Sequence, residues 1–227
     1  MAKNTNVMKN NILKIAAVVL CAFFCAGATA QMKNTPSEPD SKVKSILNTA
    51  LNKIKSAKAI SFDATVLNKD SNKKEVSRQK VKVLMSGNKY RITIDDMVVL
   101  CDGKAVYSID NGTKEATINE PSDSDMDIFN PAKLLQNHDK NFRAKLIREE
   151  NTQYVVDLTP RKTQNFHKIR LLINKATYQI TKVELHNYDS SRNECTLSQY
   201  KTTATATDAD FTFSTAKYKG YEVVDMR

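Results

Sequence analysis

Histidine is scarce in this chain, and the residues that catalysis or metal binding would need are not grouped. The three histidines, His138, His167 and His186, lie too far apart for a ligand motif such as H-x-x-x-H. There is no G-x-S-x-G nucleophile elbow, no glycine-rich phosphate loop and no paired-cysteine metal motif. The sequence therefore predicts a protein that is not an enzyme, with no catalytic residues, no metal site and no cofactor.

Cysteine is also rare, and only two of the four cysteines lie outside the apolar N-terminal run. A lipoprotein signal needs a small residue before its cysteine. Because Cys21 follows leucine and Cys25 follows phenylalanine, we expect no attached lipid. Cys101 and Cys195 can pair as a disulfide in an oxidising compartment. Alternatively, both are small buried apolar residues, and the sequence leaves the two interpretations open.

Long hydrophobic runs are limited to one N-terminal segment, which predicts a secretory signal peptide over residues 1–30. Lys3, Lys9 and Lys14 precede an apolar run at residues 15–28, and Ala28-Thr29-Ala30 forms an A-x-A cleavage signature. The alternative is an uncleaved membrane anchor, but the run is shorter than the roughly 20 residues that a spanning helix needs. We expect cleavage after Ala30, which places the mature protein in the periplasm or outside the cell; we predict the periplasm.

Acidic residues are outnumbered, so the formal net charge is +10. The lysines are scattered through turns and polar strand faces. This pattern is typical of a solvated basic surface, and attraction to an anionic partner is the alternative. Nucleic acid is not expected as a partner, because the exported chain has no strip of interleaved basic and aromatic residues.

The chain after the signal reads as a short leader and one domain. Residues 31–40 contain two prolines and predict a flexible leader, and residues 41–227 have the length of a single domain. An amphipathic pattern predicts a helix over Ser41–Ser56 with one apolar stripe.

The apolar period changes to two after that helix, which predicts an antiparallel sheet. The pair Asp102-Gly103 joins two such runs and predicts a hairpin with a type I′ turn. Residues 119–139 break the alternation, and Pro131 suits the first turn of a short helix there. The pattern predicts ten or eleven strands and two helical segments.

The order of these pieces resembles the periplasmic outer-membrane lipoprotein carrier family, the LolA-like group. The resemblance covers nearly all of the mature chain and rests on the order and spacing of six weak motifs. They are KIKSAKAISFDATV from Lys53, VLCDGKAVYSID from Val99, IFNPAKLL from Ile128, YVVDLTP from Tyr154, IRLLINKATYQITKVEL from Ile169 and DADFTFS…YEVVD from Asp208.

The resemblance implies a mainly β, α+β fold, an incomplete antiparallel β-barrel of about eleven strands with helices covering its concave apolar face. It also implies acylated lipoproteins as cargo, an inner-membrane release complex and an outer-membrane acceptor as partners, and a monomer. The chain departs from the family at one turn. Known members carry an arginine before the third strand that latches the helical lid, whereas this chain has Ser86-Gly87-Asn88, with Arg91 on the strand beyond, and has no tryptophan.

A half-barrel supplies an apolar wall because every second strand residue points inward. The candidate lining residues are Phe62, Val66, Val83, Met85, Tyr90, Ile92, Ile94, Met97, Val99, Tyr107, Leu171, Ile173, Val183 and Leu185. The candidate lid residues are Ile46, Leu47, Phe129, Leu134 and Leu135.

Other interpretations of the same pattern remain open. An ordinary packed core gives the same alternation in the strands, and a simple capping helix would explain the lid segment. The resemblance favours a carrier that moves lipoproteins from the inner to the outer membrane. The alternative is a non-transporting lipid-sensing or envelope-stress interaction module on the same fold.

Overall fold

The computed structural model describes residues 41–121, 131–136 and 138–227. The predicted signal peptide, the leader and Phe129 lie outside these residues. The helices are α1 (Ser41–Ser56), α2 (Pro131–Leu135) and α3 (His138–Asn141). The strands are β1 (Ile60–Lys69), β2 (Glu75–Ser86), β3 (Lys89–Ile94), β4 (Met97–Cys101), β5 (Val106–Asp110), β6 (Glu115–Asn119), β7 (Phe142–Glu149), β8 (Gln153–Pro160), β9 (Phe166–Asn174), β10 (Ile180–Asn187), β11 (Arg192–Lys201) and β12 (Glu222–Asp225).

All twelve strands belong to one sheet, in the order β12-β6-β5-β4-β3-β2-β1-β11-β10-β9-β8-β7. Strands β1 to β11 pair with antiparallel neighbours, and β12 adds to β6 in parallel. The two edge strands, β12 and β7, are not paired with each other, so the sheet is open. The predicted fold class, an incomplete antiparallel barrel with helices, is confirmed.

Helix α1 has the bounds that its apolar period predicts. Val43, Ile46, Leu47, Ala50 and Ile54 recur at three- and four-residue spacing and are all buried. They pack in one cluster with side chains from β1 to β4 and from β8 to β11. We call the sheet face in contact with α1 the inner face and the opposite one the outer face. No helix within the described ranges is long and apolar enough to cross a membrane.

The hairpin at Asp102-Gly103 is present, but its turn is longer than the two-residue turn that this pair favours. Residues 102–105 connect β4 to β5. The carboxylate Oδ1 of Asp102 accepts hydrogen bonds from the backbone N–H groups of Lys104, at 2.8 Å, and Ala105, at 2.9 Å. Gly103 has a φ of +91°, in the region that favours glycine. The Asp102 side chain therefore organises the loop.

The C-terminal segment covers part of the outer face and forms a second core. Tyr218 stacks on Phe213 at 5.3 Å between ring centroids, and Phe213 stacks on Tyr107 at 5.5 Å. Tyr218 also belongs to a buried cluster with Val98 and Ile109. Strand β4 is therefore buried on both faces, which explains why its sequence is apolar at every position.

Candidate lipid-binding face

Two rows of apolar side chains cross the inner face, and the strand register builds both. In one row, Phe62 of β1 lies opposite Val83 of β2, which lies opposite Ile92 of β3 and then Val99 of β4. Side chains directly opposite each other in an antiparallel pair have Cβ atoms about 5 Å apart. This row therefore forms continuous apolar contact across four strands.

The other row crosses the second half of the sheet. Val66 of β1 lies opposite Cys195, which lies opposite Val183, then Leu171 and then Val156. Because β1 contributes to both rows, they join in one cluster. The inner face is thus an uninterrupted apolar surface from β8 to β4.

Most of the predicted lining residues lie together on this face. Tyr90 and Leu185 are half-buried at the margin of the cluster, and Met97, also half-buried, lies opposite Ile94. Ten others are fully inside the cluster: Phe62, Val66, Val83, Met85, Ile92, Ile94, Val99, Leu171, Ile173 and Val183.

The predicted position of Tyr107 is wrong. Its register partners, Leu100 and Ile118, place it on the outer face, where its ring stacks on Phe213. Alternation could not reveal this, because β5 is too short and its neighbour β4 is apolar on both faces. The hydroxyl of Tyr107 donates a hydrogen bond to Asp102 Oδ2 at 3.0 Å, so this residue has a structural role in the hairpin.

Several inner-face residues were missed although the same alternation contains them. Most share two-residue spacing with predicted positions or lie on β8, which pairs with β9; Ile180 lies before a register shift in β10 and opposite the predicted Ile173. These are Ile60, Ala64, Val81, Val156, Leu158, Ile169 and Ile180.

Helices α1 and α2 cover the inner face. Ile46 and Leu47 of α1 and Leu134 and Leu135 of α2 are buried in the same cluster as the strand residues. These four predicted lid residues therefore contact the face that they were expected to cover. A ligand on this face must replace helix contacts.

Polar contacts from Lys42, Asn48 and Lys53 connect α1 to its surroundings. Lys42 near its start forms an ion pair with Glu149 of β7. The side-chain Oδ1 of Asn48 lies 3.1 Å from Nε2 of His138 in α3. Lys53 in the last turn lies 5.5 Å above the ring of Tyr178. Exposed ion pairs and cation–π contacts are each worth only about 1 kcal/mol or less, so the apolar stripe dominates the attachment of α1.

Arg91 is not part of this attachment. Its register partners, Leu84 and Leu100, place it on the outer face. Ser86, the last residue of β2, instead donates a hydrogen bond from its Oγ to the backbone carbonyl of Lys58, at 2.8 Å. Lys58 lies just after α1. Among the described residues, helix α1 is therefore attached without the arginine that the family resemblance led us to look for.

His138 is the one buried ionisable group where α1 meets α3 among the described residues. Its ring is almost fully buried, and its Nδ1 has no hydrogen-bond partner in the described part of the chain. Burial lowers the pKa of His138, with a further decrease from Lys44, and the nearby Asp139 only partly offsets this. The imidazole is therefore neutral near pH 7.

Burial on the inner face keeps the ionisable groups of Cys195 and Tyr200 uncharged. Burial raises the pKa of the Cys195 thiol to about 12 and the pKa of the Tyr200 hydroxyl to about 12. Both groups are uncharged at any physiological pH. The described residues also contain no group of three or more His, Cys, Asp or Glu that could hold a metal ion.

The disulfide that the sequence allowed does not form. Cys101 and Cys195 are both free and buried. Their strands, β4 and β11, are separated by β3, β2 and β1. Four steps of about 4.8 Å separate the two strands by about 19 Å along the sheet, whereas a disulfide needs Cα atoms about 6 Å apart. The alternative interpretation, two small buried apolar residues, is correct.

A ladder of polar side chains ends the apolar surface at one side. The amide of Asn193 donates to Oδ1 of Asn68 at 2.6 Å, and the amide of Asn68 donates to Oγ of Ser77 at 2.7 Å. Asn187 donates to Oδ1 of Asn193 at 3.2 Å. These bonds join β10, β11, β1 and β2, and they satisfy the amides beyond the last apolar row.

The family model described as outer membrane lipoprotein carrier protein LolA matches residues 52–214. The chain belongs to this family. The matched segment begins within α1 and includes strands β1 to β11, so it contains the whole inner face. No curated protein sequence matches the chain.

Solved structures are similar to this LolA-family chain at low sequence identity. An uncharacterised conserved protein from Thermus thermophilus is 13% identical, with a TM-score of 0.54 over 81% of this chain and 99% of that chain. A LolA superfamily protein from Nitrosomonas europaea is 15% identical, with a TM-score of 0.42 over 75% and 97%. The Pseudomonas aeruginosa MucA/MucB complex matches at 13% identity, with a TM-score of 0.40 over 76% and 61%. The first of these likenesses shows a shared fold.

Proposed function

We propose that this protein is a periplasmic carrier that shields the acyl chains of lipoproteins and transports them from the inner to the outer membrane. The observation that carries the proposal is the inner face, an apolar surface from β8 to β4 that helices cover through side-chain packing. Membership of the lipoprotein carrier family supports the same cargo class.

The burial free energy of α1 on the inner face is similar to that of one acyl chain, which suits loading and release of acyl chains. Four large side chains of α1, Val43, Ile46, Leu47 and Ile54, are buried in the cluster. At about 1.5–3 kcal/mol each, their burial contributes roughly 6–12 kcal/mol. An acyl chain of about 16 carbons gains about 12 kcal/mol at roughly 0.8 kcal/mol per buried CH₂. Because the two values are similar, the exchange of α1 for one acyl chain is nearly balanced in free energy.

The proposed carrier acts as a monomer with acylated lipoproteins as cargo. Its proposed membrane partners are an inner-membrane release complex that loads it and an outer-membrane acceptor that unloads it. Nucleic acid has no part in this function. The residues proposed to contact acyl chains are those of the inner face, with Phe62, Val83 and Ile92 at the centre of one row.

Native mass spectrometry of the protein with a triacylated lipoprotein tests the proposal. We expect a one-to-one complex. Val83→Trp fills the inner face and should abolish the complex while the chain remains folded. Val98→Trp is the matched control, because Val98 is equally buried but belongs to the second cluster on the outer face. The control should retain the complex.

A second candidate function follows from how completely the face is covered. Nearly all of its strand residues are buried beneath α1 and α2, as in a filled core. A protein that binds neither lipoprotein nor phospholipid in this experiment would instead be a non-transporting interaction module. Binding that survives Val83→Trp and Val98→Trp equally would also contradict the carrier proposal.

A further inference from the structure

Half of the outer face carries neither of the two core clusters. The first cluster lies on the inner face, and the second lies on the outer face of β4 to β6, beneath the C-terminal segment. The remaining half is formed by β7 to β11, β1 and β2, and we call it the outer basic face. Seven strands at a spacing of about 4.8 Å make it about 29 Å wide.

The strand register lines up charged side chains across this face. Asp157 lies opposite Arg170, which lies opposite Glu184, and Glu184 lies opposite Glu194. Two opposed glutamates repel each other, but Nζ of Lys182 lies 2.7 Å from Glu184 and 2.9 Å from Glu194. Arg170 binds Asp157 with two bonds, at 2.7 and 2.9 Å.

Three further cations complete this network, and they lie above the carboxylates. Lys69 lies 2.7 Å from Glu194, Lys168 lies 3.3 Å from Asp157, and Arg192 lies within 4.0 Å of Glu184. The three carboxylate side chains are 6–11% exposed, whereas the five cationic side chains are 23–29% exposed. The acids therefore form the floor of the network, and the bases form its solvent side.

The carboxylates stay ionised within this network. Burial alone would raise the pKa of Glu194, but hydrogen bonds and charges from Lys69 and Lys182 outweigh it and hold the pKa below its usual value. The same balance lowers the pKa of Asp157 through Arg170 and Lys168. Five cations against three carboxylates leave a positive surplus even after the acids are fully charged.

Further cations flank the network. Lys80 and Lys82 on β2 and Arg143 and Lys145 on β7 are exposed, and none forms an ion pair with any other described residue. The other described carboxylates on these strands are Asp63, Glu75, which pairs with Arg78, and Glu149 at the end of β7, which pairs with Lys42 of α1 and with Lys175. The positive charge thus extends from one side of the face to the other.

We propose that the outer basic face docks on the anionic headgroups of a lipid bilayer, with the inner face turned away from the membrane. A cation layer that extends about 29 Å along the sheet suits an extended anionic surface. Each basic side chain near an anionic leaflet strengthens binding by about fivefold, and the effect is screened by salt. This proposal does not rest on cargo binding, because the two faces are opposite.

Vesicle co-sedimentation tests the proposal with a charge-matched pair of variants. The chain is purified as the expression host processes it, so that all variants share one N-terminus. The test variant carries Lys80→Gln, Lys82→Gln and Lys145→Gln on the outer basic face. The control carries Lys104→Gln, Lys114→Gln and Lys219→Gln, three exposed lysines outside that face, and has the same net charge.

We expect binding to phosphatidylglycerol-containing vesicles, little binding to pure phosphatidylcholine, and loss of binding in about 0.5 M salt. The test variant should bind about 100-fold more weakly, from about fivefold for each of three charges, and the control should bind less than about fivefold more weakly. Circular dichroism and acyl-probe binding should be unchanged in both variants, which separates this result from a failure of the carrier proposal.

Three outcomes would overturn the proposal. The first is no binding of the unmodified protein to anionic vesicles. The second is an equal loss in the two variants, which would mean that net charge alone governs binding. The third is that the protein binds polyglutamate but not vesicles, and that only the test variant loses the binding to polyglutamate. This result would assign the outer basic face to an acidic protein.

Discussion

Shortening one side chain of helix α1 should weaken the fold and, if α1 covers the acyl site as proposed, strengthen acyl binding at the same time. Leu47 is fully buried in the inner-face cluster, so Leu47→Ala should lower the free energy of unfolding by about 2–5 kcal/mol. The three carbons removed also hold α1 closed, at about 0.8 kcal/mol each. An acyl chain that must displace α1 would then bind more tightly by up to about fiftyfold.

The chain has no tryptophan, so Tyr90→Trp at the margin of the inner face provides a single fluorescent reporter. Titration of that background with a long-chain acyl ligand gives the affinity, and urea denaturation gives the stability. Ile109→Ala is the control, because Ile109 is equally buried but lies in the second cluster. It should lose similar stability and keep its affinity within about twofold. If Leu47→Ala leaves the acyl affinity unchanged or lowers it, the proposal that an acyl chain displaces α1 from the inner face is refuted.

Three further predictions concern ionisable groups. Burial lowers the pKa of His138 below 6.5, so the neutral imidazole contributes stability that is present above pH 6.5 and is lost as the pH falls. When the pH is lowered from about 7.5 to 5.5, the free energy of unfolding, measured by urea denaturation, should therefore decrease less in His138→Gln than in the parent protein. An equal decrease in the two proteins would contradict this prediction. Asp157→Asn leaves Arg170 without its two charged hydrogen bonds and should lower the free energy of unfolding by about 2–3 kcal/mol. The control Asp63→Asn should change the free energy of unfolding by less than about 0.5 kcal/mol. Similar changes in the two variants would mean that the charge network of the outer face does not stabilise the fold. Cys101 and Cys195 are buried and free, so a thiol reagent should label both only as the protein unfolds, as peptide mapping would show; rapid native labelling or a disulfide-linked peptide would be inconsistent with the fold.

Where the sequence has one apolar face and one polar face, it predicts the structure well. The alternation in β1, β2 and β3 places Phe62, Val83 and Ile92 on one side of the sheet, and the register confirms it. The apolar period of α1 predicts its bounds and its buried stripe in the same way. In both cases, burial on one side only makes the pattern informative.

Prediction fails where burial comes from a distant segment. Tyr107 faces the C-terminal Phe213, and nothing local to β5 shows that a segment about 100 residues later will cover the outer face. The parallel addition of β12 to β6 is equally non-local. The charge network on the outer face also depends on register, because residues as distant in sequence as Lys69 and Glu194 meet only when β1 pairs with β11.

Photo-crosslinking tests the central claim, that the inner face receives acyl chains, most directly. A lipopeptide with a diazirine in its acyl chain would be bound to the unmodified protein and irradiated, and the adducts would be mapped by mass spectrometry. The account predicts adducts on inner-face residues of β1, β2 and β3, such as Phe62, Val83 and Ile92. Adducts confined to the outer face, or none above a non-acylated peptide, would contradict it.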